Sequence, residues 1–106
     1  MLIYEVNLTV NNAIFSDYYL WLVEHVREML QFPGFKAAEM AKEISLDKPN
    51  ADVTKLTVRY TVESENDLDN YFNHHAAVMR EEGIRRFGYQ FSAARRVFVE
   101  PLSWSK

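Results

Sequence analysis

The sequence predicts an α+β fold of ferredoxin-like type, ordered β-α-β-β-α-β, in one domain covering residues 1–106. Three observations carry this expectation. Apolar residues alternate from Leu2 to Val10 and again from Val53 to Val62, the period of a half-buried strand. From about Ala13 to Gln31, and again beyond Ser64, the apolar period lengthens to that of a helix. Each helical stretch is followed by a further strand-like run. Two strand–helix–strand units joined by a hairpin form the split βαβ motif. Right-handed crossovers then put the first and third strands at the centre of a four-stranded antiparallel sheet, with both helices on one face.

Each element has its own signal. In the first strand Leu2, Tyr4, Val6, Leu8 and Val10 alternate with Ile3, Glu5, Asn7 and Thr9, and Asn11-Asn12 ends the run. In the first helix Ile14, Tyr18, Leu22, His25, Val26 and Met29 share a face. Ser16 or Asn12 would cap it, and Asp17 suits its positive end. Phe32-Pro33-Gly34 stops it, because a residue before proline is pushed out of helical geometry. Phe35 to about Leu46 is a weaker strand of small and charged residues, and Asp47-Lys48-Pro49-Asn50 has turn composition. Leu56, Val58, Tyr60 and Val62 make the apolar face of the third strand. Ser64 and Asp67 have capping-box spacing. The stripe Leu68, Tyr71, Phe72, His75, Met79 and Phe87 reads as one continuous helix, with Gly83 weakening it and Gly88 placed to end it. Gln90 to Glu100 is the fourth strand, and Trp104 lies in a short tail beyond Pro101.

Composition narrows the functional classes. The 106 residues are 48% hydrophobic and 25% charged, with a formal net charge of −3, ordinary values for a globular chain. With no cysteine, thiolate catalysis, disulfides and Cys-based metal sites are excluded, and a reducing cytoplasm is the expected compartment. No apolar run approaches the ~18 residues of a membrane span, and the N-terminus reads as a strand and not a leader. Acids and bases are interleaved, without the basic stripe of a nucleic-acid binder. No metal site is expected, since no His-x-x-x-His pair exists, and no Gly-rich phosphate loop or GxSxG elbow is present.

The two sheet faces differ. The apolar set belongs under the helices. The opposite set, with Asn7, Thr57 and Arg59 at its centre, is polar yet β-branched and poor in lysine. Either water covers it, as on many antiparallel sheets, or a second copy does. The homodimer is the expectation, with Asn7, Thr57, Arg59 and the apolar Trp104 at the interface.

The chain also resembles the dimeric α/β-barrel superfamily, and within it a small bacterial family of unknown function. The carrying residues are Tyr4-x-Val6, Trp21-x-x-x-His25, Phe35, Val58-x-Tyr60, Tyr71-x-x-x-His75-Ala76, Arg80, Arg86-Phe87-Gly88, Phe91 and Arg95. The resemblance implies two ferredoxin-like subunits packed sheet to sheet. The superfamily includes cofactor-free quinone-forming monooxygenases, haem-degrading monooxygenases and purely structural members. Asn7 matches an asparagine of the haem degraders. Tyr71 stands in place of their tryptophan, and the histidines are placed differently, so the pattern departs from theirs and no cofactor is expected.

The polar residues on apolar stripes are the candidates for chemistry. His25 and His75 occupy core-facing positions, where an imidazole costs desolvation unless hydrogen-bonded. Each is either a structural histidine bonded to a backbone carbonyl or to Tyr60, or a general base with a pKa near neutrality. Trp21, His25, Tyr60, Tyr71 and His75 together form the expected ligand site, suited to a small aromatic or acidic molecule. Arg59, Arg80 and Arg95 have the geometry to bind a carboxylate or phosphate, but ion pairs with Glu5, Glu39 or Glu81 are the plainer expectation. Function therefore divides between a small-molecule-binding or cofactor-free enzymatic dimer and an interaction module whose interface is its whole role.

Overall fold

The computed structural model describes residues 1–47 and 52–106, so the turn expected at Asp47-Lys48-Pro49-Asn50 falls, beyond Asp47, outside the described residues. Strand β1 (Leu2–Asn11) leads through a 3-10 turn (Asn12–Ile14) into helix α1 (Phe15–Met29). Strands β2 (Phe35–Lys42) and β3 (Val53–Val62) follow. Helices α2 (Glu65–His74) and α3 (Ala76–Phe87) then lead to β4 (Phe91–Val99). The sheet order is β2-β3-β1-β4, antiparallel at every pairing. The long alternating strands β1 and β3 are central, as the right-handed crossovers require. This is the ferredoxin-like α+β fold.

The core is the apolar set expected from the sequence. Tyr4, Leu8, Val10, Leu56, Val58, Tyr60 and Val62 are buried under the helices. Tyr18, Leu22 and Met29 come down from α1, Leu68 and Tyr71 from α2, and Met79 and Phe87 from α3. Among the described residues, the opposite sheet face carries no helix or strand. The molecule is accordingly a slab of 39 × 38 × 18 Å with a radius of gyration of 14.6 Å, above the about 13 Å of a rounder chain of this length.

Three local expectations are corrected. The first helix is preceded by the 3-10 turn, which Asn11 caps by accepting from the Ala13 N–H at 2.9 Å, so neither Asn12 nor Ser16 is the cap. Strand β2 ends at Lys42 and not near Leu46. The second helix is two helices. His75 breaks it at φ −129°, ψ −30°, although its N–H still reaches the Tyr71 carbonyl at 2.9 Å. After the break, burial passes from Tyr71 to Ala76, Met79, Gly83 and Phe87, so Met79 and Phe87 keep their expected places while Ala76 takes the one expected of His75. The capping-box spacing holds. Ser64 Oγ accepts from the Asp67 N–H at 3.2 Å and donates to its Oδ2 at 2.8 Å.

Candidate functional site

Beneath the helices the sheet does not close completely. A cavity of about 240 Å³ lies between β1, β3 and β4 below and α1, α2 and α3 above. Its size lies between an engineered void that admits benzene, ~150 Å³, and the lower end of ligand pockets, ~300 Å³, so it suits one or two fused rings. Its walls are mainly aromatic. Tyr4 and Tyr60 stack at 5.9 Å between centroids, Tyr71 tilts against Tyr4 at 6.1 Å, and Tyr18 lies 5.5 Å from Trp21. The lining residues that are exposed belong to α3, the turn after it and β4: Arg80, Ile84, Tyr89, Ser92 and Arg95. The mouth is therefore at that edge.

Four of the five expected ligand residues, Trp21, His25, Tyr60 and Tyr71, line this cavity. His75 does not. Because the helix breaks at that residue, its ring stacks instead on Phe32 in the loop after α1, 4.4 Å between centroids and 27° from parallel. His25 lies one turn beyond Trp21 and stacks on it at 4.7 Å and 25°. Its Nδ1 is buried and has no hydrogen-bond partner among the described residues. Burial pushes the imidazole pKa below its ordinary 6.5, the negative charge of Glu82 opposing and the positive charge of Arg95 assisting. His25 is thus neutral at pH 7.

The phenols are held protonated. Burial pushes Tyr60 up strongly, aided by the neighbouring Tyr71, Tyr4 and Tyr18. Burial also raises Tyr18 well above its usual range, with Arg95 opposing. Tyr71 is pushed up to about 12 by burial and by Tyr4, with Arg80 and Arg95 opposing. The wall therefore offers neutral hydroxyl donors, one neutral imidazole and two arginines. Arg80 Nη2 lies 3.4 Å from the Tyr4 hydroxyl. Among the described residues no carboxylate lies within ion-pair distance of Arg80 or Arg95, so the ion pairs expected for them do not form. Arg95 was legible in the sequence as a charge on the apolar alternation Phe91, Ala93, Arg95, Val97. Gly83 is a wall residue that the sequence did not point to. A Cβ there would come within 2.9 Å of Trp21 Cη2, so glycine lets the indole lie against α3.

The open face holds a separate polar system. Glu5, Arg59 and Arg96 are in register on β1, β3 and β4, with Glu39 on β2 next to Arg59. The four make a row of alternating charge across the sheet. Glu5 is only 5% exposed, covered by a single layer of its partners' side chains. Its Oε1 accepts from Asn7 Nδ2 at 2.9 Å and from Arg96 Nε and Nη2 at 2.9 and 2.5 Å, while Oε2 faces Arg59 Nε at 3.4 Å. Thr57 donates to Asn7 Oδ1 at 2.9 Å. The Asn7 and Arg96 hydrogen bonds hold the Glu5 carboxyl below its ordinary 4.5, more than desolvation raises it, with the charges of Arg96 and Arg59 adding to the effect. Phe98 lies under both arginines, 5.8 Å from Arg59 and 5.2 Å from Arg96. Trp104 is 85% exposed in the tail beyond β4. Among the described residues, no group of three or more histidines and carboxylates converges as a metal site would require, and no helix is long and apolar enough to cross a membrane.

Comparison with solved structures agrees with this architecture. A protein described as a candidate antibiotic biosynthesis monooxygenase from Deinococcus radiodurans superposes with a TM-score of 0.74 at 8% identity, over 100% of this chain and 98% of that one. SnoaB, a cofactor-independent oxygenase from Streptomyces nogalater, gives 0.66 at 10% identity, over 99% and 98%. A dimeric ferredoxin-like protein of unknown function from Thermobifida fusca gives 0.61 at 14%, over 92% and 90%. At such identities the likeness is one of fold. No curated protein matches the chain. Residues 1–100 match the family described as domain of unknown function DUF4286, and the chain belongs to that family.

Proposed function

We propose that the protein is a homodimer whose subunits each bind a small planar organic molecule in the cavity beneath the helices. The observation that carries this reading is an aromatic cavity containing a buried imidazole nitrogen that no group among the described residues satisfies. Interiors are normally filled, and buried polar atoms are normally paired. A ligand between Trp21, Tyr60 and Tyr71 that donates to His25 would meet both conditions. Titration with a panel of aromatic acids, quinones and haem, read by tryptophan fluorescence in a Trp104→Phe background, tests it. Quenching of Trp21 by a panel member, diminished in Tyr71→Ala, is expected. No quenching by any member up to millimolar concentration removes the reading.

The neutral imidazole favours a second reading, a cofactor-free monooxygenase-like enzyme. A base with a depressed pKa next to a bound phenol or enol can withdraw its proton at neutral pH. Dioxygen uptake on addition of a hydroquinone, lost in His25→Gln with binding retained, would support it. No uptake with any bound phenol would leave a binding protein.

The dimer is supported by the open face. Rotation about a two-fold axis parallel to the strands, between β3 and β1, would lay the row Glu39-Arg59-Glu5-Arg96 over its own reverse, each charge facing its opposite. The neighbouring row, Ala41, Thr57, Asn7 and Ala94, is made of small or short side chains that allow close approach. The T. fusca neighbour, described as dimeric, supports the same assembly, as does the 85% exposure of the large apolar Trp104. The lack of cysteine supports a cytoplasmic location, and the interleaved charge argues against a nucleic-acid partner. Sedimentation velocity at micromolar concentration should show a dimer, and Arg59→Glu should dissociate it at least tenfold more readily, since the new carboxylate would lie beside Glu5. A monomer in the parent protein, or an unchanged dimer in the variant, would remove this part of the proposal.

A further inference from the structure

The arginines at the cavity mouth specify more than planarity. Arg95 pairs with Val6 across β4 and β1, so it stands on the covered face of the sheet, among apolar neighbours, where a strand under helices would ordinarily carry a Val or Ile. Arg80 reaches the same cavity from α3 and touches the Tyr4 hydroxyl. Neither has a carboxylate partner among the described residues, whereas Arg27, Arg59, Arg85 and Arg96 all do. The lining contains no aspartate or glutamate. Glu82, whose charge reaches His25 from α3, is not part of the wall. Of the other titratable groups of the wall, burial keeps His25 unprotonated and the Tyr18, Tyr60 and Tyr71 hydroxyls protonated at pH 7. The cavity therefore carries two positive charges with no negative charge to balance them.

Resting on the small-molecule reading above, we propose that the ligand is a planar aromatic anion of one or two rings. Its carboxylate, or equivalent oxyanion, is held at the mouth by Arg95 with Arg80 beside it, and its ring system lies inward between Trp21 and the tyrosines. A planar guanidinium binds a carboxylate through two parallel N–H donors. A half-enclosed site strengthens that pairing over the same pair in water. The apolar inner wall accounts for the rings. The neutral His25 and the protonated phenols leave room for a hydroxyl or carbonyl substituent at the inner end but demand no second charge there.

The test compares 2-naphthoate with 2-naphthamide, the same ring system without the charge, by isothermal titration calorimetry on the full chain. Naphthoate is expected to bind at least about tenfold tighter than the amide. Arg95→Gln should bring the two within about twofold of each other, and Arg95→Lys should keep part of the preference, because lysine preserves the charge but not the planar fork. Arg80→Gln should have the smaller effect, since that guanidinium is already engaged with Tyr4. Circular dichroism and the thermal transition of each variant establish that it is folded. If amide and acid bind equally and Arg95→Gln changes neither, the anionic class is wrong while the cavity reading stands. If neither compound binds to the parent protein, the anionic inference falls, and the cavity reading is decided by the wider panel of aromatic acids, quinones and haem.

Discussion

The two faces of the sheet treat polar groups in opposite ways. On the open face, Glu5 is almost sealed from water and both its oxygens have a partner, Oε1 in Asn7 and Arg96 and Oε2 in Arg59. Above the covered face, half-buried His25 keeps a shielded Nδ1 that no described residue answers, and Arg95 and Arg80 carry charge with no acid beside them among the described residues. A satisfied buried network makes structure rigid and specific, whereas an unsatisfied one costs stability. The open face is thus finished as a surface. The covered face leaves a polar atom and two charges without partners among the described residues.

The largest effect should come from breaking the finished network. Glu5→Gln removes the buried negative charge that two guanidinium groups share and leaves two like charges facing each other across a neutral amide. Both arginines are about half exposed, so solvent moderates the loss, and about 1–2 kcal/mol of destabilisation is expected in urea denaturation. A change below ~0.5 kcal/mol would mean that the network is decorative. Its pH dependence has a definite sign. The folded pKa of Glu5 is depressed, so its contribution is complete above 4.5 and disappears as pH falls below that value toward the folded pKa. The parent should therefore weaken on acidification below 4.5 more steeply than Glu5→Gln.

His25→Phe sharpens the contrast because it should act in the other direction. It removes an orphaned nitrogen while keeping an aromatic ring against Trp21, so the variant should be as stable as the parent or more stable by about 1 kcal/mol. The folded pKa of His25 is also depressed. The unfolded chain binds the proton more readily, and stability is lost as pH falls below 6.5. The variant should lose that slope. A clear destabilisation at pH 7 would show that the imidazole is structurally bonded, and that the two faces are alike after all.

The smallest effect on stability belongs to Gly83→Ala. Better helix propensity contributes up to ~1 kcal/mol, offset by the methyl group's approach to the indole at 2.9 Å. Stability should change by less than about 1 kcal/mol, while Trp21 must shift and its fluorescence maximum with it. An unmoved emission spectrum would show that the indole does not rest on α3.

Local pattern carried the reading where one strand or helix suffices to state it. The alternation in β1 and β3 identified both sheet faces, and Ser64 with Asp67 marked the start of α2. Tyr18, Leu22 and Met29 marked the buried side of α1. The break at His75 was not legible, because stacking on Phe32, forty-three positions earlier, has no local signal. Arg95 was visible as an intruder on an apolar stripe, but nothing nearby in sequence told whether an acid would meet it.

By itself, then, the sequence determined which residues form strands and helices, their order, and hence a central β1–β3 pair with helices on one side. Those features follow from period, capping and crossover handedness, all short-range or topological. The tertiary structure alone decided which polar groups find partners. Glu5 and Arg96 are 91 positions apart, and only the β1–β4 register brings them together. Tyr4 and Arg80 meet across 76 positions. Whether a buried charge or an imidazole is satisfied depends on distances of a few ångströms between segments remote in the chain. Those distances also distinguish a sheet face complete in itself from a cavity that is not.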